Sequence, residues 1–206
     1  MDRPAIAAAA YLVANAQHMR DRFLRLGGVA AAFPLALGGD RTLAARLAWM
    51  GLRGMSEDRL VVLGEEYGER YLVPNVKEVA RQLLAESRAR KHRVVLVSES
   101  LDVVVGPLAR ALGVPLEDVV CNRAEMSAEH RATGRLCDPI VGGHLGGGWA
   151  RAFAKERGID LESSFVYGAN GDDGVLLSAV GHACAVTPDR ALRRLARDNG
   201  WPVVEA

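Results

Sequence analysis

Apolar residues recur at spacings of three and four through the first half of the chain, and after Arg93 the period changes. "AQHMRDRFLRLGG", "TLAARLAWMGLRG", "SEDRLVVLGEEYGERYL" and "VKEVARQLLAESRA" each carry the helical period. Ser56, with Asp58 and Arg59 behind Gly54, marks a helix start, and Pro74 separates the last two helices. "RVVLVS", bounded by "KH" and "ES", is a short valine-rich run of the kind that forms a strand buried on both faces. Beyond it the pattern predicts the helix "LDVVVGPLARALG", the strand "DVVCN", a polar stretch with a "TGR" turn, and the loop "GGHLGGG". The helix "WARAFAKERG", the strand "SFVYGA", the helix "DGVLLSAVG", the strand "ACAVT", the helix "RALRRLARDNG" and the strand "PVVE" complete the series. Alternation of this kind implies βαβ units and an α/β fold, a Rossmann-like doubly wound parallel sheet.

At 206 residues, half of them hydrophobic, the chain suits one core, alone or with a smaller insertion. Lys and Arg number 26 against 25 Asp and Glu, with no sustained block of one sign, so the footprint of a nucleic-acid binder is missing. Arg190, Arg193, Arg194 and Arg197 fall on one amphipathic helix and read as a solvated face. Cys121, Cys137 and Cys184 form no C-x-x-C pair and the five histidines no H-x-x-x-H pair, which argues against a disulfide framework or a His-ligated metal. No run of about twenty apolar residues is present, so no membrane span is expected. The start "MDRPAIAAAAYLVANAQ" imitates a secretory leader, with a small-x-small site at Ala14-Asn15-Ala16, but Asp2 opposes Arg3 and the apolar stretch is mostly alanine. A cytoplasmic location is the expectation.

In open parallel sheets, ligands bind beyond the carboxyl ends of the strands. The residues to weigh are therefore Ser98-Glu99-Ser100, Asn122-Arg123, Gly168 to Asp173, and Thr187-Pro188-Asp189.

These tips, in this order, resemble the haloacid-dehalogenase-like phosphatases, in particular the branch of phosphoserine phosphatase with a helical cap. "HRVVLVSES", "TGRL" and "GIDLESSFVYGANGDDGVLLSAVGHACAVTPDRALRRLA" carry the resemblance. It implies a core made of residues 1–14 and 88–206, with a helical cap at 15–87. The family uses an Asp nucleophile and an acid–base Asp in a D-x-D-x-T turn, a Ser or Thr and a Lys on the phosphoryl oxygens, and acids that hold Mg²⁺.

On this resemblance, Ser98, with Ser100 beside it, takes the place of the phosphate-binding hydroxyl, while Glu99 sets a carboxylate where the family has a small residue. The family loop Y-S-D-S-x-x-D, laid on Tyr167 to Asp173, puts Ala169 on the first metal-binding Asp and Asp173 on the second. Ala169, Asn170, Asp172 and Asp173 then read as the remains of a metal loop. The position of the lysine falls in "LGGGW", and Lys155 lies more than two helical turns further on. No D-x-D occurs anywhere: Ala7 and Ala9 overlay it if "AIAAAAYL" is the first strand, but a helix there, or loss of the strand, is equally compatible with so much alanine.

Nucleophile, acid, lysine and one metal ligand are all replaced by small neutral residues. The resemblance thus implies a catalytically inactive relative that works as a binding, scaffolding or regulatory protein, without catalytic residues and without a cofactor. The alternative is an active phosphatase or hydrolase on a small phosphorylated metabolite, its site rebuilt from Ser98, Asp172 and Asp173 with Mg²⁺, and with Glu99, Asp138 and His144 as further candidates. A protein partner or a second copy is a third expectation, because erosion of a central strand exposes unpaired backbone groups.

Overall fold

The computed structural model describes residues 4–15, 47–142 and 146–205. The predicted helix at 16–28 and His144 lie outside them. The chain divides into two compact units, Met1–Val76 with Ala80–Val141, and Lys77–Val79 with Gly142–Ala206.

In the first unit, residues 4–14 form a helix, α1 (Pro4–Ala14), and among the described residues no strand precedes β1 (Leu96–Leu101). The two possibilities left open by the sequence resolve toward the helix, as the high helix propensity of alanine favours. Ala8, Ala9, Leu12 and Val13 make one fully buried stripe on α1, packed in a core with Trp49, Leu52, Leu60, Leu63, Leu101 and Val104.

Helix α2 (Glu57–Tyr67) runs on into a π turn, Gly68–Leu72, and then a short 3₁₀ turn at Val73–Asn75, where Pro74 ends it. The helix α3 (Glu78–Ala89) follows. Gly64 and Gly68, one turn apart, let α2 approach α4 (Asp102–Ala111): a Cβ on Gly64 would stand 2.7 Å from the Val103 carbonyl oxygen, and one on Gly68 2.7 Å from that of Val104. Tyr11 of α1, Tyr67 of α2 and Tyr71 of the π turn form a triangle of rings with centroids 5.2–5.5 Å apart.

β1 pairs in parallel with β2 (Val119–Asn122), the two joined by α4 as a βαβ unit. The strand begins three residues later than the apolar run suggested, so Ser98 lies within it, opposite Cys121, and the register slips between Ser98 and Leu101. The predicted "TGR" turn is instead part of a strand: β4 (Ala132–Leu136) pairs antiparallel with β3 (Ala124–Met126), and Gly134 there has φ +86°. Glu125 ties this polar hairpin together, accepting from the Thr133 hydroxyl at 2.5 Å and from Arg135 Nε at 2.8 Å. Its apolar residues, Ala124, Met126, Ala132 and Leu136, pack against the core, but the two strands are too short for their period to stand out in the sequence.

The second unit contains α5 (Gly146–Arg157), β5 (Phe165–Gly168), a 3₁₀ turn at Gly171–Asp173, α6 (Gly174–Leu177), β6 (His182–Val186), α7 (Arg190–Asn199) and β7 (Val203–Val204). α5 starts inside the glycine run that the sequence pattern assigned to a loop. The three strands are parallel in the order β5-β6-β7, and Val166, Ala183 and Ala185 pack with Leu177, Leu192, Ala196 and Trp201. Asp189 caps α7 by accepting the Leu192 amide at 2.8 Å, and Gly200 ends it in the left-handed region at φ 69°.

Candidate functional site

In the second unit, the carboxyl end of β5 leads directly into the acidic loop. Asp173 folds back over it: Oδ2 accepts the backbone N–H of Ala169 at 2.7 Å and that of Asn170 at 2.9 Å, while the Asp173 amide donates to the Asn170 carbonyl at 3.0 Å. Gly168 makes room for this, since a Cβ there would meet Asp173 Cβ at 2.8 Å and Oδ2 at 3.1 Å. Burial pushes the Asp173 carboxyl above its ordinary range, against the two amides that favour the anion. The Ala169 carbonyl accepts the Asp189 amide at 2.8 Å, which joins the loop to the start of α7. Ala169, Asn170, Asp172 and Asp173 are thus gathered in one turn, with Asp172 half-buried.

In the first unit, Ser98 lies within β1 and Ser100 next to its last residue. Ser100 is buried, and its amide donates to Ser98 Oγ at 3.2 Å. The Glu99 carbonyl accepts Asn122 Nδ2 at 2.7 Å, and Asn122, 1% exposed, also trades two hydrogen bonds with Val141. Asp102, the first residue of α4, turns its Oδ1 onto the Val103 amide at 2.8 Å, so a carboxylate already occupies part of that helix N-terminus. On β2 the half-buried Cys121 thiol is pushed up to about 11, mainly by burial and further by the negative charge of Asp102. A thiol held protonated in this way is a poor nucleophile.

Among the other candidates, Asp138 is exposed, and Lys155 is exposed in the last turn of α5. The sequence reading set Asn122 among the strand tips to weigh but gave it no role, and the structure shows it organising the β1 end; it missed Lys77, whose Nζ donates to the Thr187 hydroxyl at 2.8 Å within the second unit. No motif marks either residue; only the fold brings their partners to them.

The family's Mg²⁺ can be tested against the donors present. Mg²⁺ demands near-octahedral oxygen coordination. Ala169 offers a methyl group, Asp173 Oδ2 is engaged by two amides, and no cluster of three or more His, Cys, Asp or Glu suited to a metal ion occurs among the described residues. This donor set does not fit the ion.

The profile of the family described as haloacid dehalogenase-like hydrolase matches residues 4–173. The chain belongs to this family. Phosphoserine phosphatase SerB1 of Mycobacterium tuberculosis is 30% identical over 164 residues, 80% of this chain and 52% of that protein. A Streptomyces azureus protein named for inhibition of morphological differentiation is 33% identical over 132 residues, 64% of this chain and 47% of its own. The chain thus spans about half the length of these relatives. Of solved structures, a Bordetella pertussis protein of unknown function superposes with a TM-score of 0.80 at 22% identity, covering 97% of this chain and 90% of that one. A substrate-bound phosphoserine phosphatase does so with a TM-score of 0.65 at 17% identity, covering 98% and 86%. The fold is that of the haloacid dehalogenase-like hydrolases, and no helix among the described residues is long and apolar enough to cross a membrane.

Proposed function

We propose that this chain is a haloacid dehalogenase-like protein that no longer transfers phosphoryl groups and acts by binding, as a scaffold or regulator. The observation that carries the reading is the loop after β5, where Ala169 supplies no ligand and the Asp173 carboxylate is turned onto the amides of Ala169 and Asn170. Two further features support it. Gly146, Gly147 and Gly148 stand where the resemblance asks for a lysine, and Ala7 and Ala9 belong to a helix rather than to a strand end that could aim a carboxylate at phosphorus. Removing one member of a cooperative catalytic set costs on the order of 10⁴ to 10⁶ in rate, and the reading removes several together.

In this reading Ser98 and Ser100 are what is left of a phosphate seat, residues 15–87 form a cap on a core of 1–14 and 88–206, and the protein works in the cytoplasm. Its effector is a protein partner or a second copy. The Streptomyces azureus relative, named for an effect on differentiation, supports a regulatory role.

A second reading rests on the relative named phosphoserine phosphatase. It makes this chain an active phosphatase on a small phosphorylated metabolite, with Ser98, Asp172 and Asp173 in a rebuilt Mg²⁺ site. Release of inorganic phosphate from O-phosphoserine and an aryl phosphate, with and without Mg²⁺, separates the two. The binding reading expects the rate of buffer alone, and turnover that Ser98→Ala or Asp173→Ala abolishes would establish the other.

A further inference from the structure

The Asp173 loop departs from a cation site in more than the count of its acids. Successive backbone N–H groups that converge make a nest for an anion. The amides of Ala169 and Asn170 converge in this way, on a single oxygen, Asp173 Oδ2, at 2.7 and 2.9 Å. The turn is closed at its other points by backbone bonds, from the Asp173 amide to the Asn170 carbonyl and from the Asp189 amide to the Ala169 carbonyl, at 3.0 and 2.8 Å. Asp173 Oδ2, lying against the bare Cα of Gly168, cannot swing onto a metal ion without stranding both N–H groups.

We propose that the Asp173 carboxylate is the resident anion of its own loop, a built-in counter-ion that holds residues 169–173 in place without Mg²⁺, in a nest that accepts a small carboxylate when the side chain is removed. The inference rests on the functional reading above and explains how the loop keeps its shape without the Mg²⁺ that the resemblance implies. The logic is one of substitution. Two converging N–H groups need an acceptor and bind an anion best; a side chain within four residues supplies it in the chain, and formate has the same chemistry.

The test uses the whole chain. Backbone amide resonances of Ala169 and Asn170 are followed by ¹H–¹⁵N NMR during titration with MgCl₂, and melting temperatures are measured for the wild type, Asp173→Ala and Asp173→Asn, each with sodium formate or sodium chloride. The inference expects both amides to stay in place through millimolar Mg²⁺. It expects Asp173→Ala to melt about 5 °C lower, from two stranded amides, and formate, but not chloride, to restore most of that loss. Asp173→Asn keeps an acceptor oxygen, so it should melt between the two and gain little from formate. Saturable movement of the Ala169 and Asn170 amides with Mg²⁺, or an Asp173→Ala protein as stable as the wild type, overturns the inference. Phosphate release is read in parallel: turnover with unmoved amides contradicts the functional reading and leaves the loop's resident anion standing, whereas moved amides without turnover overturn the resident anion alone.

Discussion

Asn122 and Val141 exchange two hydrogen bonds: Nδ2 donates to the Val141 carbonyl at 3.0 Å, and the Val141 amide donates to Oδ1 at 2.8 Å. With a third bond from Nδ2 to the Glu99 carbonyl at 2.7 Å, one buried amide fastens the end of β1 to the segment that follows the hairpin. Asn122→Ala leaves three buried backbone groups unsatisfied and should cost about 2–4 kcal/mol in urea denaturation. Asn122→Asp keeps the acceptor, loses both donated bonds and buries a charge at a position 1% exposed, so at neutral pH it should cost more than the alanine variant.

Helix α1 can be tested by two substitutions two residues apart. Ala7 is exposed and Ala9 fully buried, as a helix requires, whereas on a strand residues i and i+2 share a face. Ala9→Asp should therefore lose about 3 kcal/mol or more, or fail to fold, while Ala7→Asp stays within about 0.5 kcal/mol of the wild type. Equal responses from the two would contradict the helix.

The contact of α2 with α4 makes an opposite pair of glycine predictions. Gly64→Ala drives a methyl group into the Val103 backbone and should destabilise by about 1–3 kcal/mol. Gly106→Ala, inside α4, meets only the end of Arg110, at 3.5 Å, and should gain up to about 1 kcal/mol from helix propensity. Thermal denaturation of both variants distinguishes close packing from a general need for glycine.

Cys121 ties stability to alkaline pH. Its folded thiol titrates at about 11 rather than 9.0, so between these values the unfolded chain has released a proton that the folded chain still holds. Stability therefore falls as pH rises from about 9 through 11 and is unaffected by this group below that window. Cys121→Ala should flatten that part of the pH profile, and in the wild type the thiolate absorbance of Cys121 should emerge only near pH 11.

These positions also show what the sequence could reveal. The alternation of strand and helix after Arg93 was legible because parallel strands read as short apolar runs, and β5 and β6 appear close to where "SFVYGA" and "ACAVT" placed them, although β5 leaves Phe165 and Tyr167 exposed. The β3–β4 hairpin was not legible, since its apolar positions are only Ala124 and Met126 on one strand and Ala132 and Leu136 on the other, and the cross-strand bonds of Glu125 are known only from the fold. The end of β1 was misjudged for a related reason: Glu99 and Ser100 look like a loop, yet Asn122 satisfies the Glu99 carbonyl from β2, and only the fold supplies that partner. At the candidate site the identities of Ala169 and Asp173 could be read, but the direction of the Asp173 carboxylate could not, because it depends on the turn geometry that Gly168 permits.

The account stands on the absence of a carboxylate able to take up a phosphoryl group with Mg²⁺. Titration of the purified chain with beryllofluoride and MgCl₂, followed by ¹⁹F NMR, tests this directly, because the complex forms only on an aspartate placed for in-line attack beside a bound metal ion. We predict no resonance of protein-bound fluoride. A stoichiometric bound signal, dependent on Mg²⁺ and lost in Asp173→Ala, would contradict the account.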